Sequence, residues 1–404
     1  MNLDFRSKER ISDIFFKRLN KGVENNPGCT LIEETDNKKT RESIMKKQKI
    51  AVVGCGKMGK IYINNMINHL GMNPHDDIII YDIDQAKSAK ISADFAVSVA
   101  NNMAEVAKKE VAIVATNTPS HVRVIRELAA NGVKHVLCEK PLGLNHKEVQ
   151  CLKDLETEVF TAFLINFSPA LKKVVKIMEE NQLVLLEGSA IWIKNRLGDN
   201  RPTAGDLEDE VVHPVQAMRM LAGINTNVTS TEVATQLTYL DYVNRAVQAR
   251  ACARDPSFPQ SVNASSNILV KMQVFDAWKN QDFIIPVTVR SSYVGAKQVR
   301  MVEGVLGYSI KTGVMPVPVY AFHIDFDMAG EDVLTLTRLD GNRSEEVRFK
   351  SNKILLEIQA FLNHINNKGT DPRLTGLDDA VASVAFTDAA IKSFDNGGEW
   401  VVTA

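Results

Sequence analysis

The most explicit chemical signal in the sequence is Gly54-Cys55-Gly56-Lys57-Met58-Gly59, which directly follows the apolar run Lys49–Val53 and precedes the helix-compatible stretch Lys60–Leu70. Glycines at that spacing, set between a strand and a helix, make a phosphate cradle. Gly54 permits the tight turn, Gly56 lets the backbone approach a pyrophosphate, and Gly59 lets helix and strand pack closely; the helix N-terminus, which Lys57 and Met58 open, adds N–H groups and a partial positive charge. A second apolar run, Ile78–Tyr81, ends in Asp82, whose carboxylate would accept hydrogen bonds from ribose hydroxyls. Ile83 follows it in place of a cation, so a 2′-phosphate would meet repulsion without compensation. NAD is therefore favoured over NADP. The interval from Gly54 to Asp82 exceeds the usual roughly 20 residues, and the polar insertion Gly71–Asp77 accounts for the excess. The plain alternative is a glycine-rich turn beside a solvated aspartate, against which the strand–turn–helix setting weighs.

Such a cradle needs a parallel sheet behind it, and the chain is long enough to build one. Its 404 residues, 45% of them hydrophobic, can bury a large core and divide into two domains. The 48 basic and 49 acidic residues balance, and no basic run is denser than Lys46-Lys47-Gln48-Lys49. No broad cationic face is advertised for nucleic acid or anionic lipid, and a small-molecule substrate fits better. Cys29, Cys55, Cys138, Cys151 and Cys252 lack CxxC spacing and read as isolated thiols of a reducing compartment. With no apolar stretch of about 20 residues and no signal sequence in Met1–Arg10, no membrane is implicated and the cytoplasm is the expected location.

Residues 1–48 read as an extension: a short amphipathic helix with Ile11, Ile14, Phe15 and Leu19 on one stripe, then a linker after Asn25-Asn26-Pro27-Gly28. Over 49–168, the β-branched runs Lys49–Val53, Ile78–Tyr81, Val111–Ala115, Val136–Cys138 and Val159–Ala162 alternate with helical segments such as His121–Asn131. That rhythm predicts an N-terminal Rossmann domain with a doubly wound parallel sheet. Over 169–404, longer alternating segments (Gly188–Lys194, Glu232–Leu240, Ile268–Phe275, Phe283–Val294, Gln298–Ile310, Val333–Arg338) predict an α+β domain with a large, mostly antiparallel open sheet. Two helices close the chain, one carrying Ile354, Leu355, Ile358, Phe361 and Leu362, the other from Leu377 to Phe394, and both are placed to pack back on the Rossmann domain.

Two further stretches, Val111-Ala-Ile-Val-Ala-Thr116-Asn117-Thr118-Pro-Ser-His121 and Gly132-Val-Lys-His-Val-Leu-Cys-Glu139-Lys140-Pro141, resemble the Gfo/Idh/MocA family of glucose–fructose oxidoreductase, inositol dehydrogenase and relatives. The likeness covers roughly residues 49–400. It implies that Thr116, Asn117, Thr118, His121 and Glu139 line the cofactor and that Lys140 lies beside the nicotinamide and the reacting carbon. A lysine partly desolvated at a strand end can exchange a proton near neutral pH, or as a cation polarise a carbonyl. Pro141 should push Lys140 towards an extended conformation. Gly205-Asp206-Leu207-Glu208-Asp209-Glu210-Val211-Val212-His213-Pro214 resembles the family's GxLxDxGxHxxD segment. By that resemblance His213 exchanges the hydroxyl proton and Asp209 orients or shares it, with Pro214 in the first turn of the following helix. Val211 and Gln216 depart from the pattern, where the family has glycine and a second aspartate. The acidic run with His213 raises the thought of a metal, but a single histidine without a Cys/His cluster argues for none.

Phe163-Leu-Ile-Asn166-Phe-Ser-Pro169 resembles the family's linker GFNRRFxP with two polar groups lost, leaving Asn166 towards the substrate; Lys194, Arg196 and Arg201 could anchor a carboxylate or phosphate. The expectation is an NAD(P)-dependent dehydrogenase acting on a secondary alcohol or carbonyl of a sugar, cyclitol or related molecule, assembled as a homodimer or homotetramer through the open sheet. The alternatives are a non-catalytic dinucleotide-binding regulator or scaffold, an imine reductase, and an NAD-assisted lyase.

Overall fold

The computed structural model describes residues 30–33, 48–197, 205–243, 246–252, 261–277, 279–309, 316–327, 330–341 and 343–403. After a short strand β1 (Thr30–Glu33), the chain builds a parallel sheet from β2 (Ile50–Val53), β3 (Ile78–Tyr81), β4 (Ser98–Val99), β5 (Val111–Val114), β6 (His135–Glu139) and β7 (Glu158–Ala162). Ile-Ala-Val-Val and Val-Ala-Ile-Val are buried on both faces, as central parallel strands must be. Their order, β7-β6-β5-β2-β3-β4, reverses direction between β2 and β5, which places a ligand crevice at the C-terminal ends of those two strands. Helices α1 (Lys57–Asn68), α2 (Gln85–Phe95) and α3 (His121–Ala130) connect the strands.

The second half starts with α4 (Pro169–Asn181), β8 (Val184–Asn195) and α5 (Val212–Gly223). It continues through β9 (Asn227–Val243), β10 (Ala246–Cys252), β11 (Ser261–Asp276), β12 (Gln281–Ser292), β13 (Val294–Tyr308), β14 (Val317–Asp325), β15 (Glu331–Arg338) and β16 (Arg343–Lys350). These form an open sheet in the order β1-β16-β15-β14-β13-β8-β12-β11-β9-β10, antiparallel except that β8 runs parallel to β12 and β1 parallel to β16. Helix α6 (Lys353–Ile365), strand β17 (Thr375–Gly376), helix α7 (Leu377–Asp395) and strand β18 (Val401–Val402) complete the chain, β17 joining the edge of the parallel sheet and β18 pairing with β9.

The closing helices bind the two sheets together. Leu355, Ile358 and Phe361 of α6 share a core with Tyr62, Ile63 and Met66 of α1. The first half of α7 buries Ala380, Val381 and Val384 against the other face of the parallel sheet, while its second half buries Phe386, Ala389 and Ala390 with Leu171, Met218 and Val302 of the large-sheet core. At the crossover, Ser168 Oγ donates to Asp332 Oδ2 at 2.6 Å, and Asp332 pairs with Lys353 at 2.9 Å, both side chains almost wholly buried.

Three features depart from the sequence reading. Thr30–Glu33, expected in a linker, pairs with Thr30↔Val347 through Glu33↔Lys350 and covers the edge of β16; the expected helix at Ile11–Leu19 lies outside the described residues. Strand β16 escapes pattern reading because it is charged, with only Val347 and Phe349 turned inward. Strand β14 escapes because Pro318 interrupts it; the proline sits at its start, where the register with β13 shifts, a position that tolerates a missing N–H.

Candidate active site

The glycine turn has the shape of a phosphate cradle. Gly54 has φ +103° and donates its N–H to Tyr81 O at 2.8 Å, and a Cβ there would lie 2.5 Å from Ala115 O. A Cβ on Gly59 would lie 2.0 Å from Gly54 O, so the helix approaches the turn this closely only because Gly59 lacks one. Gly56, in contrast, would meet nothing within 4 Å: its open side faces room for a ligand at the N-terminus of α1, where Gly56 is the cap and Lys57 is exposed. Asp82 at the end of β3 accepts Cys55 N–H on Oδ2 at 2.7 Å and Asp84 N–H on Oδ1 at 2.9 Å, thereby shaping the turn it stands beside. Thr116, Asn117 and Thr118 follow β5, with the Ser120 hydroxyl 2.8 Å from both Thr116 Oγ1 and Asn117 Oδ1.

His121, expected to touch the cofactor, is placed otherwise. It is 1% exposed, with Nδ1 2.8 Å from Pro141 O and Nε2 3.1 Å from Thr116 O, so both ring nitrogens are occupied by main chain. It braces the loop after β5 against the Lys140–Pro141 peptide, which is cis. Glu139 likewise faces inward: Tyr62 OH lies 2.9 Å from its Oε1 and 3.3 Å from Oε2 of buried Glu357 on α6. Burial raises both carboxyl pKa values.

Lys140 reaches across to the second domain and donates to the main-chain carbonyl of Asp209. That carbonyl belongs to a π-helical turn, Leu207–Val211, that leads into α5. In this register the residue five positions on is Pro214, which has no N–H to contribute, so the carbonyl keeps room for the ammonium. Pro214 is the third residue of α5 and so lies in its first turn, as expected, with the π-helical turn running directly into it. The acidic run divides its side chains. Asp206, its pKa pushed up to about 8 by burial, takes the hydroxyls of Ser291 and Ser266; Glu208, raised to about 7 by burial, takes Asn263 Nδ2. Glu210 takes Trp192 Nε1 at 3.1 Å and Lys194 Nζ at 2.6 Å, and the Asp209 carboxylate takes Tyr293 OH at 3.1 Å and lies 3.3 Å from Arg196.

One turn beyond Asp209, His213 is stacked on Trp192, with centroids 5.4 Å apart, and meets the edge of Phe163. Its Nδ1 is buried without a hydrogen-bond partner among the described residues. Burial first, then the charges of Lys140, Lys194 and Arg300, hold its pKa well below the usual imidazole value. Lys140, 73 positions before His213 in the sequence, thus stands close enough for its charge to act on the imidazole, through its hold on Asp209 one turn away.

Of the residues expected at the substrate, Lys194 is present and its pKa is lowered by burial, while Arg196 is 8% exposed and braces Asp209 and Tyr293. Asn166 is buried and donates to Arg373 O and Thr375 Oγ1, holding the segment before β17 instead of facing the site. Arg201 lies outside the described residues. Sequence reasoning missed Arg300, whose guanidinium lies 5.7 Å from the Trp192 ring. It is opposite Trp192 in the β8–β13 pairing, a neighbour that only the strand order reveals.

Residues 48–167 match the family model described as the oxidoreductase family, NAD-binding Rossmann fold, of the Gfo/Idh/MocA proteins. Over 146 residues, 33% of this chain, the sequence is 26% identical to myo-inositol 2-dehydrogenase of Thermotoga maritima, and the match spans 42% of that relative's length. Among solved structures, UDP-N-acetylglucosamine 3-dehydrogenase from Acidithiobacillus ferrooxidans aligns with a TM-score of 0.63 at 13% identity, over 86% of this chain and 97% of that one. Levoglucosan dehydrogenase in a complex with NADH and L-sorbose aligns with a TM-score of 0.65 at 15% identity, over 88% and 98%. At these identities the likeness is one of fold.

Proposed function

We propose that this chain, an oxidoreductase whose residues 48–167 form a Gfo/Idh/MocA NAD-binding domain, transfers a hydride between nicotinamide C4 and a secondary carbinol or carbonyl carbon of a sugar- or cyclitol-like molecule. The observation that carries this reading is the hydrogen bond from Lys140, at the end of a Rossmann strand, to the Asp209 carbonyl of the second domain, one helical turn before His213. When bound, the nicotinamide supplies or accepts the hydride. His213, kept neutral, takes the hydroxyl proton as the alcohol becomes a carbonyl; with Nδ1 sealed, exchange runs through Nε2. Lys140, fixed by Asp209, directs its ammonium at the substrate oxygen and stabilises negative charge there.

Asp82 favours NAD, because a 2′-phosphate would stand against its carboxylate. Lys140, Lys194 and Arg300 around His213 favour a substrate carrying a carboxylate or phosphate, since Glu210 answers only part of that positive charge. The open sheet leaves Leu269 and Ile284 more than half exposed, the surface through which two copies would pair; sedimentation at micromolar concentration tests this, and a monomer would end it.

The purified chain should turn over at least one member of a panel of sugars, sugar acids, sugar phosphates and cyclitols, read at the NADH absorbance band. Lys140→Ala and His213→Ala should each lose about 10²- to 10⁴-fold in kcat while still binding cofactor. NAD binding with no turnover across the panel would make the protein a dinucleotide sensor and sink the reading.

A further inference from the structure

At the edge of the parallel sheet opposite Lys140, three side chains with metal-ligand chemistry come together from three elements. His135 is the first residue of β6, Glu158 the first of β7, and His364 lies in the last turn of α6. Glu158 Oε2 is 2.9 Å from His135 Nδ1 and 3.0 Å from His364 Nε2, and the three donor atoms lie within 4.8 Å of one another. We propose that this cluster binds a divalent transition-metal ion, Zn²⁺ by its donor set, as a clamp that fastens α6 to the Rossmann sheet.

Two imidazole nitrogens and one carboxylate oxygen suit zinc, whereas magnesium and calcium prefer sets made wholly of oxygen. Tetrahedral bonds of about 2.0–2.1 Å separate donor atoms by about 3.3 Å. The two contacts to Glu158 need open by only a few tenths of an ångström, and the two imidazole nitrogens, within 4.8 Å of one another, must close by up to about 1.5 Å, which side-chain rotations at a half-exposed site supply. The surroundings are those of a held ligand. His364 Nδ1 lies 2.7 Å from Thr370 Oγ1, and donation to that hydroxyl leaves Nε2 with the lone pair a metal requires. The same ring packs edge-on against Phe160, centroids 4.8 Å apart, so its orientation is set before an ion arrives. Entry is open, since Glu158 is 49% exposed, and a water can fill the fourth position.

Without an ion the imidazole nitrogens face Glu158; with one, those nitrogens bond the metal and each neutral ring keeps its proton on the other nitrogen, which for His364 is Nδ1 facing Thr370. The site has no part in hydride transfer, because β6 carries His135 and Glu139 at its opposite ends, about 13 Å apart at strand rise. Its effect is mechanical: α6 supplies Glu357 and Phe361 to the face that supports Tyr62 and Glu139.

The test uses the full chain stripped with a chelator and titrated with ZnCl₂, followed by metal content, calorimetry and thermal denaturation; Co²⁺ replaces zinc where an absorption signature is wanted. A single ion should bind at micromolar concentration or tighter and raise Tm. His364→Ala and the size-conserving Glu158→Gln should each weaken binding at least tenfold and abolish the Tm rise, with retained NAD binding confirming that the variants fold. Zinc binding of equal strength in both variants, or none in the wild type, overturns the proposal and leaves the triad as a hydrogen-bonded latch. Neither result depends on turnover.

Discussion

Lys140 Nζ donates to the main-chain carbonyl of Asp209, joining the end of a Rossmann strand to the helical turn of the second domain that leads into α5. The contact uses the backbone of Asp209, while the carboxylate faces Tyr293 and Arg196. The aspartate is thus a positioning residue through one group and an anchor for a buried arginine through the other.

From this, Asp209→Asn should cost less in kcat than Lys140→Ala or His213→Ala, because the amide variant keeps the carbonyl that holds the lysine. The exchange does remove the charge facing Arg196, and a hydrogen bond to a charged group contributes about 1.5–3 kcal/mol. Parallel measurement of kcat and Tm checks the split. A kcat loss matching that of His213→Ala, with Tm unchanged, would return the carboxylate to the proton path.

His213 gives a pH prediction. Its pKa in the folded chain is held below the unfolded value by burial, then by Lys140, Lys194 and Arg300, so folding is penalised as pH falls below about 6.5, where the unfolded imidazole takes a proton. For alcohol oxidation the same shift keeps the basic form available on the acid side of that value. Arg300→Gln removes one of the cations and should move the acid limb of kcat/KM upward in pH. An acid limb that stays in place would separate His213 from proton transfer.

Asp82 shapes the glycine turn through Cys55 N–H at 2.7 Å, and on the proposed function it also accepts from the ribose. Asp82→Ala should raise KM for NAD about tenfold or more, since two hydrogen bonds at about 1 kcal/mol each are lost, and should narrow the preference over NADP. The comparison of KM for the two cofactors decides it; equal losses for both would reduce Asp82 to a loop brace.

The parallel sheet and its glycine turn were legible because local rules write them: β-branched runs buried on both faces, and glycines where Cβ atoms would collide. Lys140, Asp209 and His213 were singled out only by resemblance, and the resemblance did not show that Lys140 contacts the carbonyl of Asp209 and not its carboxylate. His121 and Asn166 looked like ligand residues because nothing in their neighbourhood reveals burial; the partners that occupy them, Pro141 O and Arg373 O, come from later chain. Arg300, Tyr293 and Glu357 gave no signal, since each joins the site through strand order or helix packing that spans many tens of residues.

Glu357 supplies the last prediction. A single phenolic proton on Tyr62 cannot serve both Glu139, at 2.9 Å, and Glu357, at 3.3 Å, and Glu357 Oε1 has no partner among the described residues. Burial first, then the charge of Glu139, raises the Glu357 pKa well above its usual 4.5, so the folded chain holds a proton there that the unfolded chain releases. Stability from this group is full below about pH 4.5 and is lost as pH rises through the folded-state pKa. Glu357→Gln fixes the neutral form, so the variant should gain Tm over wild type at pH 8 and gain little at pH 5. Calorimetry at the two pH values reads this directly: a variant that melts lower by the same amount at both would mean that the carboxyl is not the proton holder of the Tyr62 triad.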